Sequence, residues 1–235
     1  VAGELSGKTS NKSSGTHKNP EFSLSVAGSV ALNFIENTTK ADISGATIEL
    51  GATADSNLNV MAVNNTDLTA FAGSAGLMWQ KATQDTSGKS VGIAGAVGLN
   101  SLTNTTEAIV RNSDIKSADQ VNVFAINGGT NVAAGLGLQV SKNSGNADGA
   151  FTMGGSVSIN GIDNTVKAEM IDTAVTGEDA RKTDVKVTAY ESDLQITGGV
   201  QLTVGKQKGA FGAAVNVANI SNDVTARIDG ANYAK

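Results

Sequence analysis

The sequence predicts an all-β fold, a parallel β-solenoid of about four repeated units. Three observations predict it: an internal repeat of roughly sixty residues, apolar residues that alternate at a spacing of two, and an aliphatic composition with little aromatic content. The 235 residues include 28 Gly but one Pro, one Trp, two Tyr and six Phe. A core must therefore be built from Val, Ile, Leu and Ala.

The repeat appears as four segments that align without gaps. Each has Val at its second position, Asn at its ninth and Ala at its thirteenth. The repeated asparagines are 67, 60 and 58 residues apart along the chain. A second module, V-x-V-x-A in two units and LNVMA in the first, follows in each complete unit. The segments are 29–43, 96–110, 156–170 and 214–228, and the predicted units are 1–28 (partial), 29–95, 96–155, 156–213 and 214–235 (partial).

Apolar alternation predicts the element type. Pairs such as Val30 with Leu32 and Leu202 with Val204 alternate at a spacing of two, which is typical of strands with one buried face. The alternation stops at ENTT, TNTT, NGG and ESD, whose residues favour turns. We therefore expect short strands joined by tight corners. With two or three coils per unit, each rising about 4.8 Å, four units would form a rod of roughly 40 to 60 Å.

Length variation between units is concentrated in polar segments at one phase of the repeat. These are predicted surface loops, and the Gly- and Ala-rich strands beside them favour a thin layer in which backbones approach closely. An alternative is that the strands flanking each loop pair antiparallel as projecting hairpins. The segments are 8–20, 80–90, 141–149 and 206–209.

Composition argues against several function classes. The net charge is −5 with no basic run, so we expect no nucleic-acid partner. No apolar stretch approaches twenty residues, so we expect no membrane insertion. The chain has no Cys and one histidine, His17, in a polar segment, and its carboxylates are scattered through the repeat. We therefore expect no catalytic residues, no cofactor and no metal site.

The repeated asparagines are the candidate site residues. We interpret them as a structural column in which each Asn lies at the same corner and satisfies turn backbone groups. The alternative is glycan attachment, because some of them belong to Asn-x-Ser/Thr patterns. The column consists of Asn37, Asn104, Asn164 and Asn222.

The motif G-x-V-x-[LI]-N-x-I-x-N-T-T-x-A-x-I followed by V-x-V-x-A resembles the repeats of large bacterial filamentous adhesins. These are two-partner-secretion and autotransporter passengers of the filamentous-haemagglutinin and leukotoxin-like kind. The resemblance covers nearly the whole chain and implies a right-handed β-helix rod. It also implies type V secretion and display outside the cell or on its surface. The fourth unit departs from the motif at Ala218, where the other units have Asn33, Asn100 and Asn160.

The expected function is a structural and adhesive rod segment, part of a longer array, without enzymatic activity. Expected partners are neighbouring repeats of the same chain and a host-surface or matrix glycan or protein, bound through the variable loops. The alternative function is a β-helix enzyme acting on polysaccharide, or a carbohydrate-binding module. An enzyme would need carboxylates that converge with Lys or Arg in one cleft.

Overall fold

The computed structural model describes residues 3–8, 22–51, 56–81, 89–144, 149–177, 183–205 and 209–234. Within these ranges the regular structure is entirely β, as predicted. No helix in the described part of the chain is long and apolar enough to cross a membrane.

Thirteen strands in the described residues form three sheets. Sheet A has the order β1-β2-β6-β9-β12, sheet B the order β13-β10-β7-β3, and sheet C contains β11-β8-β4 with β5 also paired to β8. Apart from the β1–β2 pair, all these pairings are parallel. The strands are β1 Gly3–Lys8, β2 Phe22–Ser44, β3 Thr47–Glu49, β4 Asn57–Asn65, β5 Leu68–Lys81, β6 Lys89–Arg111, β7 Asp114–Lys116, β8 Gln120–Ser144, β9 Gly149–Ile171, β10 Ala174–Thr176, β11 Asp184–Gly205, β12 Gly209–Asp229 and β13 Asn232–Ala234.

Each repeat makes one coil. The chain runs through sheet A, then sheet B, then sheet C, and the next repeat begins again in sheet A. The expectation of two or three coils per unit is therefore wrong, and so is the expected rod length. Four coils at one strand spacing put the first and last repeats only about 14 Å apart, whereas a strand as long as β6 spans about 75 Å.

The register between coils follows the sequence alignment. Asn37 is opposite Asn104, Asn104 is opposite Asn164, and Asn164 is opposite Asn222. In sheet C, Val121 likewise lies between Leu58 and Val185. The gap-free alignment of the repeats is thus a list of residues that stack on one another.

The expected short strands and corners were misplaced. The segment ENTT lies inside the 23-residue strand β2, and TNTT lies inside β6. One corner of the coil follows sheet B, where Ser117 has a left-handed backbone conformation. Another follows sheet A, where one residue per coil adopts this conformation. These residues are Gly45, Asn112, Asp172 and Gly230, with φ between 47° and 62°.

The hairpin alternative is wrong for the loops that connect one coil to the next. Strands β8 and β9, which flank residues 145–148, pair parallel with other coils and belong to sheets C and A. The same holds for β5 and β6 and for β11 and β12. The exception is β1, which pairs antiparallel with β2 along the edge of sheet A.

An apolar core fills the coils where the three sheets meet. Ile115 and Val175 point inward from sheet B, and they meet Val110 and Met170 from sheet A and Val121 from sheet C. All five side chains are almost completely buried. The core stabilises the end of each complete coil at which the short sheet B connects sheets A and C. We call this the closed end.

Nearer the variable loops the distribution of side chains is reversed: the aliphatic residues lie on the outer surface and small or polar residues lie between the sheets. We call this region, where sheets A and C face each other directly, the thin layer. Its interior carries Ser, Thr, Gly, Ala, Asn and Gln, whereas Val30 and Leu32 are 53% and 52% exposed on the outer surface. The apolar pattern changes phase between Leu32 and Ile35, and Ile162, the equivalent of Ile35 two coils later, is only 1% exposed. The expectation that the alternating apolar residues face a core is therefore wrong in the thin layer, because the small residues occupy its interior.

Glycine permits the close approach of the two sheets, as the sequence predicted. A β-carbon placed on Gly98 of sheet A would lie 3.0 Å from the carbonyl oxygen of Ala134 in sheet C. One placed on Gly135 would lie 3.2 Å from the β-carbon of Ser156. At these positions of the thin layer, backbone and small side chains of the two sheets are in contact.

Substituting Gly129 by Ala should destabilise the protein by more than about 2 kcal/mol. Gly129 has φ 154°, and a β-carbon there would overlap with the carbonyl oxygen of Thr66 in the neighbouring coil. Gly198→Ala is the matched control, since nothing lies within 4 Å of its β-carbon position. Urea unfolding of both variants measures the difference, and equal stabilities would contradict the expected overlap with Thr66.

Candidate functional site

The predicted asparagine column forms a hydrogen-bonded ladder inside sheet A. The Nδ2 of Asn37 donates to Oδ1 of Asn104 at 3.2 Å, and Asn104 donates to Asn164 at 3.0 Å. Asn164 donates in turn to Asn222 at 3.0 Å. In-register stacking places each amide one strand spacing from the next, which is the geometry of an asparagine ladder. These residues lie within strands and bond to one another, so the expected position at a corner is wrong.

A second ladder links the two long sheets. Asn33 donates to Asn100, and Asn100 to Asn160, each at 3.0 Å. The same amides also donate to backbone carbonyls of sheet C, including that of Val132 at 2.6 Å and that of Ile196 at 2.7 Å. This column connects the sheets where no apolar core lies between them. Ala218 has no side-chain amide, so the amide column does not continue into β12.

A third, shorter ladder in sheet C ends at two carboxylates. Asn64 donates to Asn127 at 2.6 Å, and Asn127 donates to Oε2 of Glu191 at 2.7 Å. From sheet A, Asn164 donates to Oδ2 of Asp193 at 2.6 Å and to Oε1 of Glu191 at 3.2 Å. Two ladders from facing sheets therefore converge on one carboxylate pair in the third coil.

Glu191 has an unusual proton affinity. Burial, together with the neighbouring charge of Asp193, raises the pKa of Glu191 to about 7, although the hydrogen bond from Asn127 acts in the opposite direction. Within the described residues this is the group with a clear departure from its ordinary value. Glu191 can therefore change its charge near neutral pH.

The sequence pattern ESD predicted a corner, so this carboxylate pair was not among the predicted site residues. A signal was present in the repeat alignment. Extending the V-x-V-x-A module by two residues places Glu191 in the column of Asn64 and Asn127. A carboxylate replacing Asn in an inward column is the observation that could have identified the pair.

Several carboxylates on the outer surface of sheet A form ion pairs across coils. Lys40 contacts Glu107 at 2.7 Å, and Arg111 contacts Asp42 at 2.5 Å. Arg227 lies 3.4 Å from Glu169. Among the described residues no group of three or more His, Asp or Glu could hold a metal ion. The converging acid and base that a polysaccharide-cleaving site requires are not brought together by these residues.

A shallow groove follows the corners after sheet A. Its polar side chains mostly bond to the turns themselves: Ser113 Oγ donates to the carbonyl of Arg111, and Thr173 Oγ1 donates to that of Ile171. Ser113 also accepts a hydrogen bond from the amide of Ala46. These contacts stabilise the corners.

The glycan alternative does not fit the folded coil at its central position. Asn104 is 1% exposed and its side-chain nitrogen donates to Asn164. Attachment of a sugar there would require the strands to separate. His17 and most residues of the predicted variable loops lie outside the described residues, although the strand ends beside the loops are described.

Comparisons of the chain with protein-family models, with curated proteins and with solved structures gave no match.

Replacing Asn104 by Ala should lower the free energy of unfolding by roughly 1 to 3 kcal/mol. The change removes the acceptor for Asn37 and the donor to Asn164 inside a buried ladder. Asn222→Ala is the matched control, because Asn222 is the exposed last member and only accepts from Asn164. Chemical denaturation should show a clearly smaller loss for the control, and equal losses would argue against the ladder as the cause.

Stability should fall as pH rises from about 4.5 to about 7, and Glu191→Gln should reduce that fall. The native state keeps a proton on Glu191 in this range while the unfolded state releases it, so raising the pH favours unfolding. Melting temperatures measured between about pH 4 and about pH 8 test the sign. The exposed Glu36→Gln is the control and should keep the wild-type slope. An unchanged slope in Glu191→Gln would refute the assignment.

Proposed function

We propose that this chain is a structural and adhesive rod segment of a secreted bacterial surface adhesin, displayed outside the cell. The observation that carries the proposal is the position of the variable segments. The strand ends that flank them lie at one edge of an in-register stack, since Phe22 pairs with Lys89 and Lys89 with Gly149. On the side of sheet C, Lys81 pairs with Ser144. The segments that differ between repeats therefore leave the scaffold side by side.

Stacking of this kind supports a structural role. Each coil supplies hydrogen bonds to the next through strands of more than twenty residues, so stability accumulates with the number of repeats. The amides of the two asparagine ladders of sheet A bond to one another and to groups of sheet C, so these ladders are held together within the fold. A rigid frame with variable edges is also a common basis for recognition.

Many weak contacts along one edge would give avidity. Adjacent coils are about 4.8 Å apart, so loops from neighbouring repeats can contact one extended partner together. A glycan or matrix protein on a host surface is the expected partner. Neighbouring repeats of the same array would extend the edge.

Shortening the loops should reduce adhesion without preventing folding. Residues 82–88 and 145–148 would each be replaced by Lys-Gln-Lys, the sequence of residues 206–208 between β11 and β12. Beads coated with the parent chain or the variant would be compared on immobilised glycans, matrix proteins and host cells. Because polar edge loops contribute little to the strand ladders, circular dichroism and melting temperature should stay close to those of the parent.

Scrambled loops of the same length and composition provide the control for loop length. Adhesion that survives both shortened loops would reject the loops as the binding elements. A parent chain that fails to adhere to every surface would reject the adhesive part of the proposal.

A further inference from the structure

The outer surface of the thin layer carries an uncharged apolar face on sheet A. It consists of every second residue from 24 to 32 of β2, whose side chains point outward, and of the residues in register with them in β6, β9 and β12. We call this surface face A. Its central column is Val30, Val97, Val157 and Val215, one valine per coil. Outer members are strongly exposed, including Phe211 at 57%.

Charged residues lie outside this face. Along β2 the outward positions after Phe34 are Glu36, Thr38 and Lys40, beyond the end of the apolar rows. On the loop side, Lys89 is exposed at the start of β6. Large uncharged apolar surfaces bounded by polar residues mark interaction sites on soluble proteins. Face A therefore has the composition of an interface.

Its area is sufficient for a dimer. Five outward columns on four strands provide twenty positions, each covering about 32 Å² of flat sheet. Two such faces in contact would bury about 1,300 Å², within the range of about 1,200 to 2,000 Å² for stable interfaces. The outer face of sheet C has only three strands in register and offers less area.

We propose that face A associates with face A of a second copy of the chain, sheet against sheet. Twisted sheets pack face to face about 10 Å apart by interdigitating aliphatic side chains, and face A presents those side chains in regular rows. A twofold arrangement makes one surface complementary to itself. Rods would thereby associate laterally, and this inference does not depend on adhesion by the loops.

A lipid surface is the competing occupant. Insertion into hydrocarbon would leave the unpaired backbone groups at the edges β11 and β12 without partners, at a cost of several kcal/mol each. Association with a second copy leaves those edges in water. A second copy is therefore the favoured occupant of face A, because the backbone groups at the sheet edges keep their hydrogen bonds to water.

The test is the oligomeric state of the full chain, measured by sedimentation velocity over a wide concentration range. The wild type should form dimers. Val97→Lys or Val157→Lys, each introducing a charge at the centre of face A, should raise the dimer dissociation constant at least about tenfold. Leu138→Lys, on the outer face of sheet C, should not. Circular dichroism and melting temperature show whether each variant folds, and because both valines point outward, at least one variant is expected to remain folded.

Cross-linking provides a second readout that does not depend on a destabilising charge. The chain has no cysteine, so Val97→Cys and Leu138→Cys each introduce a single thiol. A short bis-maleimide should link copies through Cys at position 97 and not through Cys at position 138. A monomeric wild type, or dimers that persist in both Lys variants, would overturn the proposal. Flotation of a monomeric wild type with phosphatidylcholine vesicles, abolished in Val97→Lys, would overturn it in favour of lipid.

Discussion

The parallel backbone ladder between successive repeats is the interaction on which the rest of the structure depends. It places each residue of one repeat directly opposite its equivalent in the next, so every position belongs to a column. Each column therefore favours a side chain that can interact favourably with the same type of side chain in the next coil. Asparagine is suitable because its amide both donates and accepts, whereas like charges repel. The column with Lys40, Glu107 and Lys167 accordingly alternates in sign.

The same constraint allows two different interiors within one coil. At the closed end, sheet B holds the long sheets apart and large apolar side chains occupy the space. In the thin layer the sheets approach closely. Small residues, asparagine and the glutamines Gln139 and Gln201 occupy its interior, and the aliphatic residues lie outside. The change of apolar phase between Leu32 and Ile35 marks the boundary. Asn100 lies near this boundary and bonds to the opposite sheet, where a hydrogen bond replaces apolar packing as the link between layers.

The sequence predicted which residues of successive repeats lie opposite one another, but it did not predict which side of each strand faces inward or how long the strands are. The gap-free alignment predicted that Asn37 and Asn104 belong together, because a repeat of constant phase leaves no other register. It could not show which side of a strand faces inward, since alternation at a spacing of two looks the same for either face. Val30 and Leu32 were therefore assigned to a core that does not contain them.

The strand lengths were misjudged for a related reason: asparagines that bond within a ladder have the same sequence signature as asparagines in turns. Glu191 was overlooked because its significance depends on the column it occupies.

One coil per repeat has a consequence for the route by which the chain folds. Partners in the ladder are about sixty residues apart, as Asn104 and Asn164 are, so almost every strand contact closes a long segment of chain. The entropy of that closure must be overcome before the pairing is stabilised, and proteins dominated by distant contacts fold slowly. The first closed turn is the difficult step, while each later turn adds to an existing template. The apolar residues around sheet B, gathered at the closed end of the coil, are the natural nucleus for that first turn, and the polar ladders would form afterwards as the long sheets come together.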